Sequence, residues 1–201
     1  RWKTPPQNWV PSLGTFGHLD YGTEYKELSW PHCIHGGNFT IRKKTLFQVG
    51  GFNPDTSFED RLVADGEIGL CRKLYSAGWQ IVYVPNTLVY HIQDGKKITI
   101  NTMKHRYAQQ GKFIACADYK KNCQSTIRLF LVAVLLILKM IKQKLSGLKY
   151  LLKKDHNNYN RNIVEIAKLL SGSGYYLRLA YNKRFRQIIL REDWINEPFT
   201  N

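Results

Sequence analysis

Two carboxylates, Asp65 and Glu67, stand two residues apart where the chain enters an apolar helical pattern of Ile68, Leu70, Cys71, Leu74 and Tyr75. A carboxylate at a helix entrance is held by the positively polarised N-terminus without needing a buried counter-ion, which suits it to take a proton from a hydroxyl. The same residues also suit a plain cap, with Asp65 capping and Glu67 in the first turn. Upstream, Gly36 and Gly37 let a backbone approach a ligand closely, and Asn38 can donate to and accept from hydroxyl groups; the bland alternative is an ordinary turn before a strand. Arg42 is able to clamp a phosphate in bidentate fashion or to sit on the surface. His91, at the end of a β-prone run, fits a metal ligand, a hydrogen-bond donor to a phosphate, or a structural histidine bonded to backbone. Trp30 and Trp79 suit ring stacking or core packing. His32-Cys33-x-His35 has the residue types of a zinc site, but alternation along a strand sends His32 and Cys33 to opposite faces and no second pair stands at ligand spacing.

These residues need elements to hold them. Pro5, Pro6 and Pro11 among Trp2, Trp9 and Phe16 predict a loop with aromatic anchors over residues 1–29, in which Asp20-Tyr21-Gly22 reads as a surface turn. Phe39-Thr40-Ile41 predicts a strand leading into a short helix, which the left-handed cap of Gly50 and Gly51 ends. Residues 53–64 read as a loop, and the helix after Gly66 closes at Ser76-Ala77-Gly78. Strands are expected over 80–84 and 88–91, a turn at Asp94-Gly95 and a helix over 98–111.

Further on, Leu129 to Leu138 is a run of ten apolar residues flanked by Arg128 and Lys139, with Ser125 or Thr126 available as cap. Ile141, Leu145, Leu148 and Leu152 then recur at helical spacing, with Lys139, Lys142, Lys149 and Lys153 mostly off that stripe. Crossing a bilayer takes about 20 apolar residues, so this segment reads as a basic amphipathic helix lying in a membrane surface, or as one packed on the preceding domain with its lysines in water. The asparagine-rich run 155–162 predicts a linker, Ser171-Gly172-Ser173-Gly174 a break between two helices, and 191–201 a frayed tail.

The chain of 201 residues is 43% hydrophobic, enough for a core, and its net charge of +15 is entirely one-sided. Residues 1–94 hold nine basic and nine acidic side chains, residues 95–201 twenty-one and six. Such an excess favours an anionic partner. A nucleic-acid surface would interleave its basic residues with exposed aromatics; here they border leucines, so an anionic membrane surface is expected and nucleic acid is not. Cys33, Cys71, Cys116 and Cys123 form no Cys-x-x-Cys pair, which predicts reduced thiols in a cytosolic environment.

The order Gly36-Gly37-Asn38 with Arg42, Val49-Gly50-Gly51-Phe52, an acidic residue before Leu70-Cys71-Arg72-Lys73-Leu74, Ala77-Gly78-Trp79, and Val84-Pro85-Asn86 with Val89-Tyr90-His91 resembles the C-terminal half of the family 2 glycosyltransferases. The resemblance implies an α/β fold: residues 1–115 would form the C-terminal part of a GT-A mixed-sheet domain, and 116–201 a basic, mostly helical extension. It also implies sugar transfer, inverting in type, from a nucleotide-sugar donor to a saccharide or lipid-linked acceptor, as in cell-wall or polysaccharide biosynthesis. Aligning Leu70-Cys71 with the family's Leu-Cys makes Glu67 the base, with Asp65 the alternative. Gly36, Gly37, Asn38, Arg42 and His91 would contact substrate, and His91 would also approach a divalent Mg or Mn ion. Relatives hold that ion chiefly through an Asp-x-Asp motif in an N-terminal nucleotide-binding half. No Asp-x-Asp occurs here, so the chain is expected to be a piece beginning midway through the catalytic domain, peripheral at the cytosolic face of the inner membrane. The competing expectation is a non-catalytic membrane-surface or nucleic-acid binding module working through the basic half, which gives Glu67 no role.

Overall fold

The computed structural model describes residues 2–10, 19–34, 36–53, 57–58, 61–62, 66–90 and 92–196. In chain order its elements are β1 (Trp2–Thr4), β2 (Lys26–Leu28), α1 (Lys43–Gln48), β3 (Ser57–Phe58), β4 (Arg61–Leu62), α2 (Gly66–Ser76), β5 (Ile81–Tyr83), β6 (Gln93–Asp94), a 3-10 turn (Gly95–Lys97), α3 (Ile100–Asn122), α4 (Thr126–Leu152), α5 (His156–Tyr181) and α6 (Lys183–Leu190). They divide into two compact units. A turn-rich unit holds residues 13–91 and 190–201, and a helical unit holds residues 1–12 and 92–189. The division expected at residue 115 falls inside α3, whose apolar face packs on α5, so this helix belongs with those that follow it.

The turn-rich unit is built on α2. Leu70, Cys71 and Leu74 lie on its buried face and meet Ile81 of β5, with Leu28, Ile34, Phe39, Ile41 and Leu46 packed around them. Two helices here end as their sequences predict. At α1, Gly50 N–H donates to Phe47 O (3.1 Å) and Gly51 N–H to Leu46 O (2.9 Å), with both glycines at positive φ. At α2, Gly78 N–H donates to Tyr75 O (3.0 Å) and Trp79 N–H to Leu74 O (2.9 Å), with Gly78 at φ +77°. Both are paired 5→2 and 6→1 closures that satisfy the last carbonyls and need a left-handed residue.

The strands differ from those expected. Among the described residues the strands form only two-stranded pairs: β1 with β6 parallel, β2 with β5 antiparallel (Lys26 opposite Tyr83, Leu28 opposite Ile81), and β3 with β4 antiparallel. The chain is α-rich. Residues 39–41 and 88–90 are not strands. A β-prone run becomes a strand only when a partner completes its ladder, and Val84-Pro85-Asn86-Thr87 instead closes on itself, Thr87 donating through N–H (3.3 Å) and Oγ1 (2.8 Å) to Val84 O.

In the helical unit α5 packs against both α3 and α4. Side-chain oxygens start the helices: Thr99 for α3, Ser125 for α4 and Asp155 for α5 each accept a backbone N–H three residues on. Asp155 capping overturns the linker expected over 155–162, since that run forms the first turns of α5. The break expected at 171–174 is also absent, and α5 runs through it to Tyr181. The reason is packing. A Cβ on Gly172 would lie 3.2 Å from Gly111 O, and one on Gly111 would lie 2.1 Å from Lys168 O, so the two glycines let the backbones of α3 and α5 touch. The polar knot at the end of α3 works similarly: Asp118 accepts from Tyr176 Oη (2.6 Å), Gln124 Nε2 (2.6 Å) and Asn122 Nδ2 (2.7 Å). Burial pushes the Asp118 carboxyl up, but the three hydrogen bonds outweigh it and hold the group below the usual carboxylate range.

Gly111→Ala should therefore cost about 1–3 kcal/mol, because a backbone carbonyl must move to admit the methyl. Gly174→Ala is the matched control, since its Cβ would meet nothing within 4 Å and the change should be neutral or slightly stabilising. Urea unfolding of the two variants checks the pair; equal midpoints would show that close helix approach does not hold this unit together.

Candidate functional site

The turn-rich unit brings together the Gly36–Asn38 turn, the entrance of α2 and the 84–87 turn. Glu67 occupies the first turn of α2, half-buried, and its carboxylate rests against Gly36: a Cβ built there would lie 2.0 Å from Glu67 Oε1. A Cβ on Gly37 would meet nothing within 4 Å. Of the two glycines, then, Gly36 is the one whose missing side chain matters, and the group that approaches it is the carboxylate. Asn38 Nδ2 donates to Thr87 O (2.5 Å), fastening this turn to the next.

The segment before Gly36 is stapled from both sides. Tyr75 Oη, one face of α2, donates to His32 O (3.0 Å), and Tyr21 Oη donates to Cys33 O (2.9 Å). The Tyr21 ring meets His32 and Tyr83 edge-on at 5.5 and 5.4 Å, and Trp30 meets Tyr75 at 6.2 Å. Burial pushes the Tyr75 hydroxyl up to about 12 and raises that of Tyr21, so both stay protonated donors at neutral pH. The thiols of Cys33 and Cys71 also influence each other: their interaction pulls the Cys71 thiol down to about 7 against the opposing effects of burial and of the Glu67 charge, and pushes the Cys33 thiol well up. Cys71 lies one helical turn beyond Glu67 on the same side of α2, so this pair lies directly below the carboxylate.

What results is a half-buried carboxylate at a helix N-terminus, bordered by the bare backbone of Gly36. It can accept a proton from a hydroxyl arriving from solvent.

Not every expected residue joins it. Arg42 is exposed at the N-cap position of α1 and makes no side-chain cap there. Trp30 and Trp79 are half-exposed and neither is core. His32 Nδ1 lies 3.1 Å from Ser29 O, and Cys33 Sγ faces Pro31 O (3.4 Å), so the zinc reading finds no support in these two. Asp65, His91 and His35 lie outside the described residues. Among the described residues no group of three or more His, Cys, Asp or Glu could hold a metal ion, so the Mg or Mn ion implied by the resemblance finds no fitting donor set there. The four cysteines are free thiols.

Sequence reasoning missed the support behind the site. Lys73 is buried in mid-helix, its ammonium donating to Gly51 O, Asn53 Oδ1 (3.1 Å) and Glu192 O (2.9 Å). Arg72 Nη2 meets both carboxylate oxygens of Glu192 at 2.6 and 2.7 Å, and Trp194 N–H donates to Gly50 O (2.9 Å). The tail expected to be frayed is docked from 191 to 196; residues 197–201 lie outside the described set. The only sequence signal was the basic pair Arg72-Lys73 within the apolar pattern of α2 and the acidic pair Glu192-Asp193 far down the chain. Comparison with family models, with curated proteins and with solved structures finds no match for this chain.

Proposed function

We propose that the chain carries the acceptor side of an inverting glycosyltransferase that uses a nucleotide-sugar donor. The observation that supports this reading is the Glu67 carboxylate lying against Gly36 in a turn that Asn38 ties to Thr87, three segments far apart in sequence. In the proposed reaction an acceptor hydroxyl hydrogen-bonds to Glu67. Its oxygen attacks the anomeric carbon from the face opposite the leaving group, its proton passes to the carboxylate, and the bond to the nucleoside diphosphate breaks with its electron pair leaving on the phosphate oxygen. Asp65 is the alternative base. Asn38 and the Gly36–Gly37 backbone orient the acceptor, while Arg42 and His91 are assigned to the phosphate side. The acceptor is a saccharide or a lipid-linked saccharide. The GT-A frame, the divalent ion and most of the donor site belong to the same proposal.

The test offers the full-length protein a panel of nucleotide sugars with and without saccharide and lipid-linked acceptors, and follows release of nucleoside diphosphate. Release that depends on an acceptor is the expected result. Release at the same rate in water alone, or none with any pairing, would overturn the reading.

A further inference from the structure

Helix α4 is apolar on two opposite faces, and only one of them is covered. Leu129 and Ala133 are fully buried, and a Cβ on Gly147 would lie 2.7 Å from Asn162 Oδ1 of α5, so this side is the packing face. On the other side Ile127 (74% exposed), Leu135 (63%), Leu138 (57%), Leu145 (59%), Leu148 (57%) and Leu152 (83%) follow one another at helical spacing. The stripe that the sequence offers either to a membrane or to a packed interface is therefore in solvent. It runs the whole 27-residue helix, about 40 Å at 1.5 Å per residue. A single exposed leucine needs no explanation, but a continuous stripe of this length marks a surface that meets something.

Charge selects the occupant. Arg128, Lys139, Lys142, Lys144 and Lys149 stand on α4, which has no Asp or Glu. A second copy of the same face would bring like charges together with no carboxylate on the helix to offset them. An anionic lipid surface supplies the opposite sign along the whole length and an apolar layer for the leucines. No helix among the described residues is long and apolar enough to cross a membrane, which leaves the plane of the interface for this one. The charge is also graded: between Arg128 and Lys139 all residues are apolar, whereas the lysines at 139, 142, 144 and 149 crowd the second half.

We infer that α4 docks flat on an anionic bilayer, its 127–138 half seated at the boundary between headgroups and acyl chains and Lys142 and Lys149 on the lipid phosphates. This surface does not depend on the transferase reading. Cosedimentation is measured with vesicles of phosphatidylcholine alone and of phosphatidylcholine mixed with phosphatidylserine. Binding is expected only with the anionic lipid and should weaken as added salt shortens the screening length below about 10 Å. Leu145→Asp with Leu148→Asp should weaken it roughly 10-fold or more, and Lys142→Glu with Lys149→Glu by a similar factor, with circular-dichroism melts unchanged because all four positions are exposed. Should the aspartate pair disturb the melt, the glutamate pair decides. Binding that ignores the substitutions, or equal binding to neutral vesicles, would overturn the inference. So would light scattering that shows a dimer dissolved by the leucine changes while vesicles are ignored, since the occupant would then be a second copy.

Discussion

Glu67→Gln in the full-length protein should slow sugar transfer by roughly 100- to 10,000-fold, the range that a positioned general base supplies. The amide keeps the size of the side chain and its place against Gly36, so the loss isolates the proton acceptor. The effect should fall on kcat, with KM for the nucleotide sugar little changed, because the donor site is assigned elsewhere. Gly36→Ala makes an independent demand of the same geometry. Its methyl would lie 2.0 Å from Oε1, so the carboxylate must swing away, and transfer should fall at least roughly 10-fold without loss of fold. Asp65→Asn, made in parallel, separates the two carboxylates: if it abolishes transfer while Glu67→Gln stays near wild type, the base is Asp65. If neither slows transfer, the helix-entrance carboxylates are caps and the transferase proposal loses its chemistry.

Lys73→Met should be the most destabilising single change in the turn-rich unit, by about 2–4 kcal/mol. The ammonium sits buried among Gly51 O, Asn53 Oδ1 and Glu192 O, and methionine of similar length would leave these acceptors facing a thioether. Losing charge-assisted bonds to partly buried carbonyls costs more than the regained desolvation of the ammonium returns. Deleting 191–201 should destabilise the same unit, since it removes Glu192 and Trp194 together; making both changes should cost less than their sum, because they share a contact. Tryptophan fluorescence during urea unfolding measures all three. A wild-type midpoint for Lys73→Met would show that the lysine is merely accommodated, and that the docked tail contributes nothing through it.

What the sequence by itself determined is what a few neighbouring residues can decide among themselves. The glycines after α1 and α2 end those helices because only a left-handed residue closes the last carbonyls, and both closures depend on bonds spanning four or six residues. Ser125 caps α4 and Asp94 the 3-10 turn on the same local terms. The apolar spacing of α2 and the basic excess of the second half are likewise legible without a fold, and they placed Glu67 at a helix entrance.

The tertiary structure decided whatever depends on a distant partner. Residues 39–41 and 88–90 have strand composition but no strand, because propensity cannot supply a ladder. Gly172 looks like a helix breaker and is instead the point where α5 meets Gly111 of α3, a distinction invisible until the second helix is in place. Nor could periodicity say which of two apolar faces of α4 would be covered, since it reports that a stripe exists and not what lies against it. The polar residues after Leu190 read as a tail because nothing nearby holds them; Arg72 and Lys73 hold them from more than a hundred residues away. Gly36 meets Glu67 for the same reason: the loop that carries Gly36 is held by the Tyr75, Tyr21 and Asn38 hydrogen bonds, and each of those joins residues that are remote in the chain.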